Sequence, residues 1–267
     1  MNALRLYGHY AAASVRAQLQ YPGSLLTTAG GQLAATAITF LGLWARFDRF
    51  GQIAGFRMAE VALFYGFVNV VFAVADSITR GFDVFGPEYV QSGQFDRLLV
   101  RPRGLLLQLF GHELRLSRLG RVAQGAVVFA WALTQLELAW TPADVATLLF
   151  AFSGALAMFC GVLVLQATLA FWTLESLEVM NVLSHGGVEA SQYPVSVYRP
   201  WLRNLLRYVL PLAAVTYYPL LSVLGRVDPL GAPAWVGRLS PALGFVFFGL
   251  TALLWRVGVR HYTSTGG

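Results

Sequence analysis

The chain contains no lysine: all 19 basic residues among its 267 are arginines. A phosphate-binding loop of the G-x-x-x-x-G-K-[ST] kind needs its lysine on the phosphates, so ATP hydrolysis by that route is excluded. Cysteine is almost missing too. The lone Cys160 falls inside an apolar run, which excludes a disulfide framework or a cysteine-rich metal site within one chain and leaves a small apolar residue. Charge is also scarce. Only 12% of residues are charged and 57% are hydrophobic, with a mean hydropathy of +0.59, whereas soluble domains carry roughly a quarter charged residues. This composition identifies an integral membrane protein. The net charge of +6 then follows from basic residues gathered in cytoplasmic loops, not from nucleic-acid binding.

What fills the chain instead is a series of long apolar runs. Residues 1–22 place Leu4, Tyr7, Ala11 and Val15 at helical spacing opposite Arg5, His9 and Arg16, so an amphipathic helix at the membrane interface is expected, closed by Pro22-Gly23. A first span is expected over about 25–44, ending on Trp44, because aromatic rings favour the interface. About 20 residues at 1.5 Å each cross a hydrocarbon core of roughly 30 Å. Such a run is also longer than the apolar part of a signal peptide, so it is expected to stay in the mature protein. Further spans are expected over about 59–75, 122–138, 145–172, 205–224 and 242–259, the fifth interrupted by Pro211 and Pro219. A charged loop with Arg46, Asp48, Arg49 and Arg57 joins the first two. The second and third are joined by a long connection, 76–121, whose half from Leu105 to Leu119 reads as another amphipathic helix. Residues 173–204 hold Glu175, Glu178, Asn181, His185 and Pro194 and are too polar and broken to span. The expectation is a single all-α membrane domain over 1–267 with six transmembrane helices.

Six spans put both ends on one side, and arginine selects the side. Termini in the cytoplasm place Arg5, Arg16, the arginines of the 76–121 connection, Arg199, Arg203, Arg207, Arg256 and Arg260 inside, leaving only Arg46, Arg49, Arg57, Arg226 and Arg238 outside. The positive-inside rule favours that orientation.

Chemistry within the spans is sparse. His9, His112, His185 and His261 all fall in surface segments, and Ser184-His185 reads as part of a loop. Glu175 and Glu178 read as a solvated turn, and Glu137 as an interfacial charge. Polar uncharged residues are more informative. Thr28, Gln32, Thr36 and Thr39 form one stripe on the first span, and Asn69, Gln124 and Gln166 add amides in the next three. Such groups either line a passage, with Thr28, Gln32, Thr36 and Asn69 as candidates, or hydrogen-bond neighbouring helices. Ser153, Ala157 and Gly161 form a small-xxx-small ladder suited to close helix packing. The polar run 92–103 stands apart, because it is a short amphipathic element amid apolar segments. Phe95, Leu98 and Leu99 share helical spacing with Asp96, Arg97 and Arg101 between them, and Pro102 ends the turn.

The order of these elements, with Gly93-Gln94-Phe95-Asp96-Arg97-Leu98-Leu99-Val100-Arg101-Pro102, Tyr193-Pro194 through Tyr218-Pro219, and the closing Gly258-Val259-Arg260-His261-Tyr262-Thr263-Ser264-Thr265-Gly266, resembles the permease subunits of bacterial ABC-2-type ABC exporters. The resemblance spans essentially the whole chain. It implies a multi-pass protein of the bacterial cytoplasmic membrane, half of a pathway shared with a second, identical or related permease. It further implies two separate ABC ATPase subunits that hold ATP and Mg, with no cofactor in this chain. Gln94, Phe95, Asp96, Arg97, Leu98, Leu99 and Arg101 would form the coupling helix, with Phe95, Leu98 and Leu99 inserted into the ATPase and the second and third spans moving as levers. Two other functions are compatible with the composition: an intramembrane lipid-modifying enzyme, and a channel or structural subunit that needs no ATPase.

Overall fold

The computed structural model describes residues 3–172 and 176–263, with side chains except at 3, 4, 6 and 176–183. Among these residues the regular structure is helical, and extended pairing is limited to one isolated bridge between Ile53 and Phe56. Glu175 and the closing Ser264 to Gly267 lie outside the described residues, as do the side chains of Glu178 and Asn181.

The long helices are α1 (Ala3–Leu19), α2 (Pro22–Phe50) and α3 (Met58–Ile78), followed after the 79–118 connection by further elements. A short helix within that connection is α4 (Phe95–Leu99). Then come α5 (Leu119–Gln135), α6 (Pro142–Leu169), α7 (Ser176–Ser191), α8 (Pro200–Val209), α9 (Leu212–Val223), α10 (Ala234–Leu239) and α11 (Ala242–His261). α3 packs on α5, α6 packs on α11, and the α3–α6 contact joins the two pairs. α2 leans on α5 from outside. Only Leu43 and Phe47 of its 29 residues are buried, whereas α3 is enclosed along nearly its whole length.

Close approach is what the small residues provide. A Cβ on Gly66 of α3 would lie 2.6 Å from the Phe129 backbone of α5, and one on Gly244 of α11 would lie 1.9 Å from the Gly154 carbonyl of α6. Backbones that near each other gain dispersion contacts that lipid tails do not supply. The seam on α6 therefore runs through Gly161, as expected of the Ser153-Ala157-Gly161 ladder, and through Gly154 in place of Ser153, whose hydroxyl donates to its own helix at Phe150.

Several boundaries differ from the sequence expectation. α2 continues past Trp44 through Arg46, Asp48 and Arg49, because charges in a final turn can reach water while the helix persists. The helix expected over 105–119 stops at Phe110, where Gly111 meets the Tyr10 ring of α1. There α1 is stitched to the connection: the Leu114 amide donates to Ser14 Oγ at 2.9 Å and the Leu116 amide to Gln18 Oε1 at 3.0 Å. Those orphan backbone groups are satisfied by α1 instead of by a helix. Ser184 and His185 lie on α7, not in a loop. The fifth apolar run is broken: α8 and α9 meet at 71° across Leu210-Pro211, since proline removes the donor a continuous helix requires. Among the described residues four helices, α2, α3, α6 and α11, are long and apolar enough to cross a membrane, or five if the bent pair counts as one span. α5 has 17 residues.

Candidate functional site

Two assemblies stand out at the arginine-rich end of the bundle. The first is the segment 92–103. Gly93 takes φ +70°, a left-handed turn that glycine adopts without steric cost, and it leads into α4. Phe95 is fully buried and Leu98 is 6% exposed. The Phe95 ring lies 4.9 Å from Tyr262, 5.2 Å from Phe85 and 5.4 Å from Phe171, mostly edge to face, with Trp255 completing the cluster. The rings come from the end of α6, from α11 and from the 85–91 turn. The Gln108 amide donates to the Leu98 and Arg103 carbonyls at 3.3 and 3.1 Å, which folds the 105–110 turn back beneath α4.

Phe95 and Leu98 therefore anchor α4 inside this chain, which corrects the expectation that they project toward a partner. An amphipathic five-residue helix with two apolar faces to fill uses the larger ring on the nearest aromatic pocket, and that pocket is intramolecular. The face left outward carries Gln94, Arg97, Leu99, Val100 and Arg101, all exposed, with Asp96 half-buried. Beside it, the Tyr89 hydroxyl and His112 Nδ1 are 2.8 Å apart. Burial raises the Tyr89 pKa, with the Glu88 carboxylate adding to the effect, so the phenol stays neutral.

The second assembly lies between α2, α3 and α5. Arg121, in the first turn of α5, donates from Nε to Asn69 Oδ1 at 2.8 Å, and its guanidinium sits 5.0 Å above the Phe72 ring. Asn69 is buried and donates in turn to the Tyr65 carbonyl at 2.8 Å, while the Tyr65 hydroxyl donates to the Thr36 carbonyl of α2 at 2.7 Å. Gln124, one turn beyond Arg121, is 8% exposed, and its amide makes no aligned hydrogen bond among the described residues, the Tyr65 hydroxyl being its one polar neighbour. Just below, Asp76 contacts Arg118 at 2.7 Å as an ion pair instead of an aligned hydrogen bond.

Of the four candidate pathway residues, Asn69 and Thr36 join this cluster and the others do not. Thr28 is exposed and its hydroxyl donates to the Ser24 carbonyl at 2.8 Å; Gln32 lies half-buried one turn before Thr36, whose own hydroxyl donates to the Gln32 carbonyl at 2.9 Å. The threonine stripe is thus satisfied within its own helix. Arg121 counted in the sequence only as a loop charge. The spacing of Arg121 and Gln124, three residues apart on one helical face, was the available signal.

At the opposite end, Glu60 Oε2 accepts from the Arg57 amide at 2.7 Å and from Arg226 at 3.1 Å, and Arg226 also donates to the Gly55 carbonyl at 2.9 Å. Tyr217 donates to Asp228 at 2.8 Å beneath a cavity of about 590 Å³ lined by Tyr218, Arg226, Trp235 and Arg238. These links close the loops between the helices. Glu137 is exposed at this end.

A family model described as ABC-2 family transporter protein matches residues 33–266. No curated protein and no solved structure matches the chain.

Proposed function

This chain belongs to the ABC-2 transporter family, and from that membership we propose that it is the permease subunit of an ATP-driven exporter, forming half of the substrate pathway and driven by a separate ATPase. A transport subunit of this family is a multi-pass membrane protein whose role is to move substrate, with hydrolysis supplied by an associated ABC ATPase. Here the six crossings would be α2, α3, α5, α6, the bent α8–α9 pair and α11. The 17 residues of α5 reach about 25 Å at 1.5 Å per residue, and the helical turn at 116–118 precedes it.

The observation that carries the coupling reading is the outward face of α4. Gln94, Arg97, Leu99, Val100 and Arg101 are exposed on a short helix whose back is locked into an aromatic cluster. Exposed apolar and arginine side chains on a rigid base make a docking patch in which the apolar centre supplies affinity and rim charges set orientation. A push on α4 passes through Phe95 to Phe171 at the end of α6 and to Trp255 and Tyr262 at the end of α11. The levers would then be α6 and α11 as well as α3, which the chain reaches directly through 79–91. Alternating access would follow as ATP closes the ATPase pair on the cytoplasmic side.

Gentle extraction followed by intact-complex mass measurement tests this. The expected complex contains two permease subunits near 29.2 kDa and two nucleotide-hydrolysing subunits. A stable, transport-competent assembly with no ATPase overturns the reading.

A further inference from the structure

We infer that Arg121, Asn69 and Gln124 form a recognition site for the anionic headgroup of an amphiphile, which would be the class of substrate exported; the inference rests on the transport function proposed above. Five ion pairs occur among the described residues and none includes Arg121. Its contacts are the neutral Asn69 amide and the Phe72 ring. Asp76 on α3 is paired with Arg118, and its charge, more than that of Glu189 on α7, also acts on Arg121, but neither carboxylate forms an ion pair with it. A permanently charged guanidinium within a membrane-spanning helix is costly unless its remaining donors are used. Arginine presents five N–H groups in a planar fork suited to phosphate or carboxylate, and one donor is committed to Asn69 here.

Gln124 is the second, independent observation. Its amide is nine-tenths buried, with no aligned hydrogen bond among the described residues and the Tyr65 hydroxyl as its one polar neighbour. The Tyr65 hydroxyl donates to Thr36 and can accept one N–H of the Gln124 amide, which leaves the second N–H of Nε2 for a ligand. Burying a free amide is unfavourable unless something else completes its hydrogen bonds. Arg121 and Gln124 project from one face of α5, so a single oxyanion can accept from both, while the apolar tail lies along the uncovered side of α2 with Leu33 and Ile38 exposed. The location near the arginine-rich end places the site where an amphiphile would enter from the inner leaflet.

The test is binding of radiolabelled dodecyl phosphate to the purified protein with its accompanying subunits in phosphatidylcholine nanodiscs, competed by unlabelled dodecyl phosphate, dodecyl maltoside or inorganic phosphate. Saturable binding displaced by dodecyl phosphate, and at least about tenfold less well by the other two, is expected. Arg121→Gln should weaken binding by about tenfold to a hundredfold, Arg121→Lys less, and Gln124→Leu to an intermediate degree. Equal displacement by dodecyl maltoside removes the anionic preference, and equal displacement by inorganic phosphate removes the amphiphile; either overturns the proposal, and this wild-type comparison requires no variant to fold. Unchanged affinity in Arg121→Gln overturns the residue assignment. A preparation without an ATPase sinks the transport function but leaves the binding result to decide the site.

Discussion

Phe95→Ala separates anchoring from docking. The ring is fully buried and touches Phe85, Phe171 and Tyr262 at centroid distances of 5.2, 5.4 and 4.9 Å. Truncating a buried phenylalanine costs about 3–5 kcal/mol from lost transfer energy and the cavity left behind. The cost falls on the connection 80–110, because α3, α5 and α6 pack without this side chain. Local opening of that segment should therefore rise between about a hundredfold and a few thousandfold, at roughly 1.4 kcal/mol per tenfold. Amide hydrogen exchange in nanodiscs reads this directly, with faster exchange over 85–110 and little change in α3. Leu99→Ala is the matched control. Leu99 is 43% exposed, so exchange should stay at the wild-type level while association with the ATPase weakens. Exchange over 85–110 unaltered by Phe95→Ala would refute the anchoring argument, and with it the route from α4 to α6 and α11.

Gly244→Ala should sharply lower the yield of folded protein, because its Cβ would sit 1.9 Å from the Gly154 carbonyl, whereas Gly249→Ala on the same helix meets open space and should be neutral in a thermal melt. Glu60→Gln should lower stability by about 1–3 kcal/mol, since buried Glu60 accepts from both Arg57 and Arg226; a double-mutant cycle with Arg226→Gln should show positive coupling, and simple additivity would count against the link. In a Cys160→Ala background, Val227→Cys, at an 89% exposed site, should react with an impermeant maleimide added outside intact cells. Ser92→Cys should react only after lysis, and the reverse pattern would invert the proposed topology.

Much of the architecture was legible because it follows from local composition. Long apolar runs of about 20 residues must be helices in lipid, as each backbone group has to be satisfied within its own segment. The spans expected over 59–75, 145–172 and 242–259 accordingly match α3, α6 and α11 within a few residues. The break at Pro211 was marked by the residue itself, though its 71° angle was not. Where helices meet was less legible, since small residues abound and only register decides which approach a partner: Gly154 forms the seam and neighbouring Ser153 does not.

The two candidate sites divide along the same line. The sequence by itself determined that the chain crosses a membrane, lacks a lysine-dependent phosphate loop and carries a short amphipathic turn at 95–101. Which side of that turn faces inward was decided only in three dimensions, because the rings that enclose Phe95 include, besides nearby Phe85, those of Phe171, Trp255 and Tyr262, remote along the chain and joined only by packing. Arg121 makes the same point. In sequence it is one more positive charge in a basic connection. The fold turns it onto Asn69, 52 residues away, and pairs Asp76 with Arg118, so a residue that could have sat in water becomes a largely enclosed cation beside the buried Gln124 amide.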